Sequence, residues 1–97
     1  MAKSIMQDKK ECWLCRNANG SIELSPYGLE EHHCISGTAN RKISEETGLK
    51  MWLCVYHHRL VHSCREAELI VKTSAQMKYE ETHSREEFIS KFGKSWL

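Results

Sequence analysis

Ninety-seven residues allow one domain, and a core that small gains from a metal staple. Charged residues at 28% and hydrophobic residues at 40% suit a folded chain, and no apolar run approaches the ~20 residues that span a bilayer. A net charge of +1 carries no general basic excess, so any surface facing nucleic acid has to be local.

Residues 1–10 are polar and contain three lysines, which reads as a loose arm. They lack the apolar stretch of a secretory signal, so the chain is expected in the cytoplasm, where thiols stay reduced. Cys12-Trp13-Leu14-Cys15 reads as a tight knuckle, followed by a turn at Asn19-Gly20. Ser21 to Leu24 reads as a short strand, Ser25 to Gly28 as a turn, and Leu29 to Ile35 as a second strand completing a hairpin. Ser36 to Asn40 is small and polar, a loop, and Arg41 to Thr47 a short helix stopped by Gly48.

Met51-Trp52-Leu53 is a brief apolar stretch that suits an extended segment. Val55 to Ser63 is helical in pattern. Glu66 to Glu81 is a longer helix, with Ala67, Ile70, Val71, Ser74 and Met77 on its expected apolar face. Ser84-Arg85-Glu86-Glu87 is a capping box that starts a last helix through Phe92, ended by Gly93. The organisation expected is a single domain over 1–97: an arm at 1–10, a metal-stapled core at 11–64 and a helical extension at 65–97.

Five cysteines in a reducing compartment, an odd count, ask for a metal before a disulfide framework. Cys12-x-x-Cys15 and Cys54-x-x-His57 are two ligand pairs at the spacing of a closed tetrahedral zinc site. Packing as small hydrophobes is the competing explanation for such cysteines. Cys34 and Cys64 read as packed thiols, with Cys64 a competitor to His57 for the fourth position.

Glu31-His32-His33 falls on the strand ending at Ile35, and His58 and His62 stand four apart on the helix after Cys54. Residues i and i+4 share a helix face, so that pair can hold one ion. At ~100° per residue, His57 lies about 90° or more around the helix from His58 and His62. One helix can therefore serve two sites. Arg16, Arg41, Lys42, Lys50 and Arg59 are candidates for local basic surface, against the alternative that they are ordinary solvated charges.

These residues carry a resemblance. From Cys12 to about Ser63, half the chain, the sequence resembles the HNH endonucleases of ββα-metal fold, through the zinc pairs, Glu31-His32-His33 and Leu53-Cys54-x-x-His57-His58-x-x-x-His62. Gly37 to Arg41 and the tail Phe92 to Leu97 look like small HNH proteins of bacteriophages and prophages. The resemblance implies an α+β fold: a zinc-stapled ββα-metal core with additional C-terminal helices. It implies His33 as general base and His32, His58 and His62 as ligands to a catalytic divalent ion, with structural zinc on Cys12, Cys15, Cys54 and His57. Asn40 is the only candidate for the family's middle asparagine, which orients the base histidine; Leu49 to Leu53 contains none.

The expected function is metal-dependent hydrolysis of DNA phosphodiesters in a bacterial host cell, with Arg41, Lys42 and Arg59 as DNA contacts. Imidazole ligands suit Ni²⁺ or Zn²⁺, and Mg²⁺ or Mn²⁺ are the other ions considered. So small a chain leaves sequence selectivity to a homodimer or to a phage or host protein partner. The alternative is a noncatalytic zinc-stabilised module, an adaptor or inhibitor, that binds nucleic acid or protein on the same fold.

Overall fold

A computed structural model describes residues 3–19, 27–35 and 38–97. The expected strand at Ser21 to Leu24 and the turns flanking it lie outside the described residues, apart from their ends at Asn19, Tyr27 and Gly28. The elements are α1 (Trp13–Asn19), β1 (Leu29–His33), α2 (Thr38–Thr47), β2 (Lys50–Cys54), α3 (Val55–Ser63), α4 (Arg65–Tyr79) and α5 (Arg85–Phe92). The fold is α+β, as expected, with a two-stranded antiparallel sheet among the described residues.

Among the described residues, β1 pairs with β2. The register sets Leu29 opposite Cys54, His32 opposite Met51 and His33 opposite Lys50. The 16 positions between β1 and β2 hold α2. α2 starts at Thr38, so Asn40 is helical and not in a loop. It ends where Gly48 takes φ 77°. The Leu49 amide then donates to the Ser44 carbonyl at 3.0 Å, a Schellman closure that turns the chain into β2.

Residues 3–10 are not a loose arm. The Ser4 hydroxyl donates to the Lys50 carbonyl, and the Ile5 amide donates to the Gly48 carbonyl at 2.9 Å. Gln7 accepts from the Trp52 amide at 2.6 Å and donates to the Glu11 carbonyl at 2.7 Å. The segment thus lies along the edge of β2 that β1 leaves open and satisfies backbone groups there.

The core gathers Cys34, Ile35, Leu49, Met51 and Leu53 from the sheet region with Val61, Val71, Ala75, Tyr79, Phe88 and Phe92 from the helices. Burying side chains of this size contributes roughly 1.5–3 kcal/mol each. α4 buries Ala67, Val71, Lys72, Ala75, Gln76 and Tyr79, while Ile70 and Met77 are 52% and 61% exposed. The expected face is therefore rotated. The tail explains it: the Trp96 amide donates to Gln76 Oε1 at 2.7 Å, and Gln76 Nε2 donates to Ser95 Oγ at 2.8 Å. A polar residue with both ends satisfied can be fully buried, and apolar periodicity does not register it.

α5 starts as its sequence predicts. Ser84 and Glu87 cap one another reciprocally, and Gly93 closes the helix at φ 87°. Phe88 then meets Tyr79, Phe92 and Trp96 at aromatic contact distances. No helix among the described residues is long and apolar enough to cross a membrane.

Candidate active site and metal centres

The first centre is built from two helix starts. Cys12 immediately precedes α1, and its Sγ accepts from the Cys15 amide at 3.4 Å. Cys54 is the N-cap of α3, and its Sγ accepts from the His57 amide at 3.5 Å. Each pair therefore places its cysteine at the cap and its second ligand three residues on, where the side chain turns back toward the same point.

His57 Nδ1 lies 3.4 Å from Cys12 Sγ, 3.2 Å from Cys15 Sγ and 3.3 Å from Cys54 Sγ. Cys15 and Cys54 sulfurs are 3.8 Å apart. A tetrahedron with metal–sulfur bonds of about 2.3 Å and a metal–nitrogen bond of about 2.0–2.1 Å has sulfur–sulfur edges of about 3.8 Å and sulfur–nitrogen edges of about 3.5 Å. The four ligand atoms fit that polyhedron. Burial first, then the neighbouring Cys12 and Cys54 sulfurs, push the Cys15 thiol up to about 12. Burial also opposes ionisation of Cys54, but the His57 amide and its other hydrogen-bond partners outweigh it and the net direction is down. Crowded sulfurs of this kind are relieved by a shared cation.

The second centre lies between β1 and α3. His32 and Glu30 alternate along β1 on the side facing α3, where His58 and His62 stand. The ligand atoms of His32, His58 and His62 all lie within 4.8 Å of one another. The Nε2 atoms of His58 and His62 are 3.2 Å apart. Two imidazole nitrogens on one ion, each at about 2.1 Å, are separated by about 3.0 Å at a right angle and 3.4 Å at the tetrahedral angle. His58 Nδ1 meets Glu30 Oε1 at 2.8 Å, which sets the ring with Nε2 toward the cluster. Burial foremost, then the neighbouring His58, His62 and His33, holds His32 down to about 4, with Glu68 on α4 opposing. His32 is therefore neutral, with a lone pair to offer, at physiological pH.

His33 is the last residue of β1 and sits on the opposite strand face. Because the strand ends there, His32 and His33 both line one cavity of about 360 Å³, together with Glu31, Ile35, Arg41, His58 and His62. His33 Nε2 is 3.0 Å from Glu45 Oε1 on α2. Glu45 is also paired with the buried Lys50, and Lys50 and His33 hold its carboxyl below the usual carboxylate range. Glu31, His33 and Glu45 form a third cluster of close ligand atoms, but the Lys50 ammonium, within 3.8 Å of Glu31 as well, already supplies its positive charge.

The remaining expected residues are dispersed. Asn40 stands in the first turn of α2, beside Arg41. Lys42 is exposed on α2. Arg59 is exposed on α3 and lines a separate shallow cleft with Val55, Tyr56, Leu60 and Ser63. Cys34 is buried in the core, where burial raises its thiol, and Cys64 forms the extended joint between α3 and α4. Three carboxylates around the histidines, Glu30, Glu45 and Glu68, were not foreseen. Strand alternation points to Glu30, two residues before His32, whereas nothing local in the sequence marks Glu45 or Glu68. No family model, no curated protein and no solved structure matches the chain.

Proposed function

We propose that this protein is a metal-dependent DNA endonuclease of the HNH type, phage-encoded and active in the bacterial host cell. The observation that carries the reading is the single cavity shared by His33 and the three converging imidazoles. The three-sulfur, one-nitrogen set of Cys12, Cys15, Cys54 and His57 is assigned structural zinc, whose preferred ligands these are. His32, His58 and His62 are assigned the catalytic divalent ion, Mg²⁺, Mn²⁺, Ni²⁺ or Zn²⁺. That ion supplies positive charge against the negative charge that develops on the phosphate.

The protein side of the reaction follows from the hydrogen bonds. A neutral His33 that donates its Nε2 proton to Glu45 keeps its lone pair on Nδ1. Nδ1 is then the atom that takes the proton of the attacking water. Arg41, on the cavity wall, binds a non-bridging phosphate oxygen through its guanidinium.

The test is nicking of supercoiled plasmid by purified protein with each of the four ions. Wild type is expected to nick and His33→Ala to lose activity by roughly 10²-fold or more. No nicking with any ion overturns the reading, as does equal nicking by the variant. One observation favours a second reading, a noncatalytic zinc-stabilised module that binds nucleic acid or protein. Glu30, Glu31, Glu45 and Glu68 surround the histidines, a negative setting for a phosphodiester. That reading is the one left if nicking fails.

A further inference from the structure

The segment 3–10 builds a cleft that the histidine cavity does not account for. It encloses about 520 Å³ between the segment and the sheet. Lys3, Lys9 and Lys10 line it, with Trp52 on β2 and Lys50 at its inner end. Asp8 and Glu31 are the lining carboxylates, so the four lysines leave a local positive excess. Lys50 is matched by Glu45 and Glu31, whereas among the described residues no carboxylate lies within ion-pair distance of Lys3, Lys9 or Lys10. Lys10 Nζ stands 4.5 Å above the Trp52 ring.

Three features make this more than scattered surface charge. The lysines ride on a backbone anchored at Lys50, Gly48 and Trp52, so little order has to be gained on binding. An indole stands among ammonium groups, the combination that takes a base on the ring and a phosphate on the cations. Finally, Glu31 lines both this cleft and the histidine cavity, so the two adjoin on the sheet. Glu31 and Trp52 are cross-strand partners, and so are His33 and Lys50 two residues along.

We propose that this cleft binds the phosphodiester backbone of a DNA strand, with an unpaired base on Trp52, and leads that strand to the histidine cavity. The choice of DNA over another polyanion rests on the endonuclease reading. The strand is then gripped on the face of the sheet opposite α3, by residues of the N-terminal segment and not by Lys42 or Arg59.

The test is fluorescence anisotropy with a labelled single-stranded oligonucleotide of about 20 nucleotides. The full chain is used, with its structural metal and no added second ion. The triple variant Lys3→Gln, Lys9→Gln, Lys10→Gln is expected to bind roughly tenfold more weakly, with a log–log salt dependence shallower by about 2. Lys91→Gln on the exposed side of α5 is expected to change neither. Wild-type binding and salt slope in the triple variant overturn the proposal, and so does wild-type protein that does not bind the oligonucleotide. Displacement by polyglutamate as effective as by unlabelled DNA also overturns it, because the cleft would then take any acidic chain. The two readings separate cleanly. A protein that binds through the lysines but never nicks retains the cleft and loses the nuclease, and a protein that nicks with unchanged binding in the triple variant does the reverse.

Discussion

The carboxylate of Glu45 reaches across from α2 to hold the His33 imidazole at 3.0 Å, and the same carboxylate is fixed from the other side by Lys50. In the proposed endonuclease reading, Glu45 takes the orienting role that the resemblance gives to an asparagine. Glu45→Ala frees the ring and removes the acceptor that favours a proton on Nε2. Nicking is expected to fall roughly 10–100-fold, the usual cost of losing such an orienting partner. Glu45→Gln, which keeps an accepting oxygen, is expected to recover part of it. Nitrogen-15 NMR of His33 should show the Nε2–H form in wild type and a mixture of tautomers in the alanine variant. An unchanged tautomer would remove the orienting role.

Cys12 and Cys34 are both buried, but Cys12 alone belongs to the sulfur-rich cluster. Cys12→Ser is expected to lower bound metal well below one ion per chain and to abolish a cooperative melt. Cys34→Ala should leave metal content unchanged and cost on the order of 1 kcal/mol. Metal analysis and circular dichroism of the two variants decide it. Chelator treatment of wild type is expected to reproduce the Cys12→Ser behaviour. Full folding without metal would remove the structural role.

Gly48 and Gly28 both have positive φ, at 77° and 68°. A Cβ at Gly48 would sit 2.3 Å from the Lys3 carbonyl oxygen, whereas one at Gly28 would meet nothing within 4 Å. Gly28→Ala is therefore expected to cost about 1 kcal/mol, the conformational part alone. Gly48→Ala should cost clearly more, about 2–3 kcal/mol, because the N-terminal segment must also move. Denaturant melts measure the difference, and equal losses would show that the segment is not seated on Gly48.

His32 is held neutral down to about 4, while an unfolded histidine titrates near 6.5. Between those values the unfolded chain carries the extra proton, so stability falls as pH drops from about 6.5 to about 4. Above about 6.5 this group contributes no pH dependence. Melting temperatures of wild type and His32→Leu, each with one equivalent of metal, should therefore diverge in slope only within that window, the wild type being steeper. Parallel curves would mean that His32 titrates as an exposed histidine.

Much of the site is local in sequence and for that reason readable. Cys-x-x-Cys and Cys-x-x-His follow from the geometry of a capped helix turn, and His58 and His62 from helical spacing. The Ser84 capping box and the Gly93 stop likewise need no information beyond a few neighbours. What escaped was set by distant partners. Glu45 meets His33 only because β1 pairs with β2 across α2. Gln76 is buried only because the tail returns to satisfy it. The seating of residues 3–10 depends on an open strand edge, which exists only once the sheet has formed. Alternation also accounted for the two faces of His32 and His33, but not for the cavity they share, which depends on β1 ending at His33.

His57 and His58 are consecutive residues of α3, one turned toward each centre. Thermodynamic linkage follows. Under the proposed assignment of an ion to each cluster, an ion that orders α3 at the sulfur cluster would already meet part of the entropic cost of assembling the imidazole cluster, and loading with positive cooperativity is the expected outcome. The effect is reciprocal. Filling the imidazole cluster would then tighten binding at the sulfur cluster by the same factor, and a chelator titration of protein loaded with two ions is expected to empty both over a narrower range than independent sites allow.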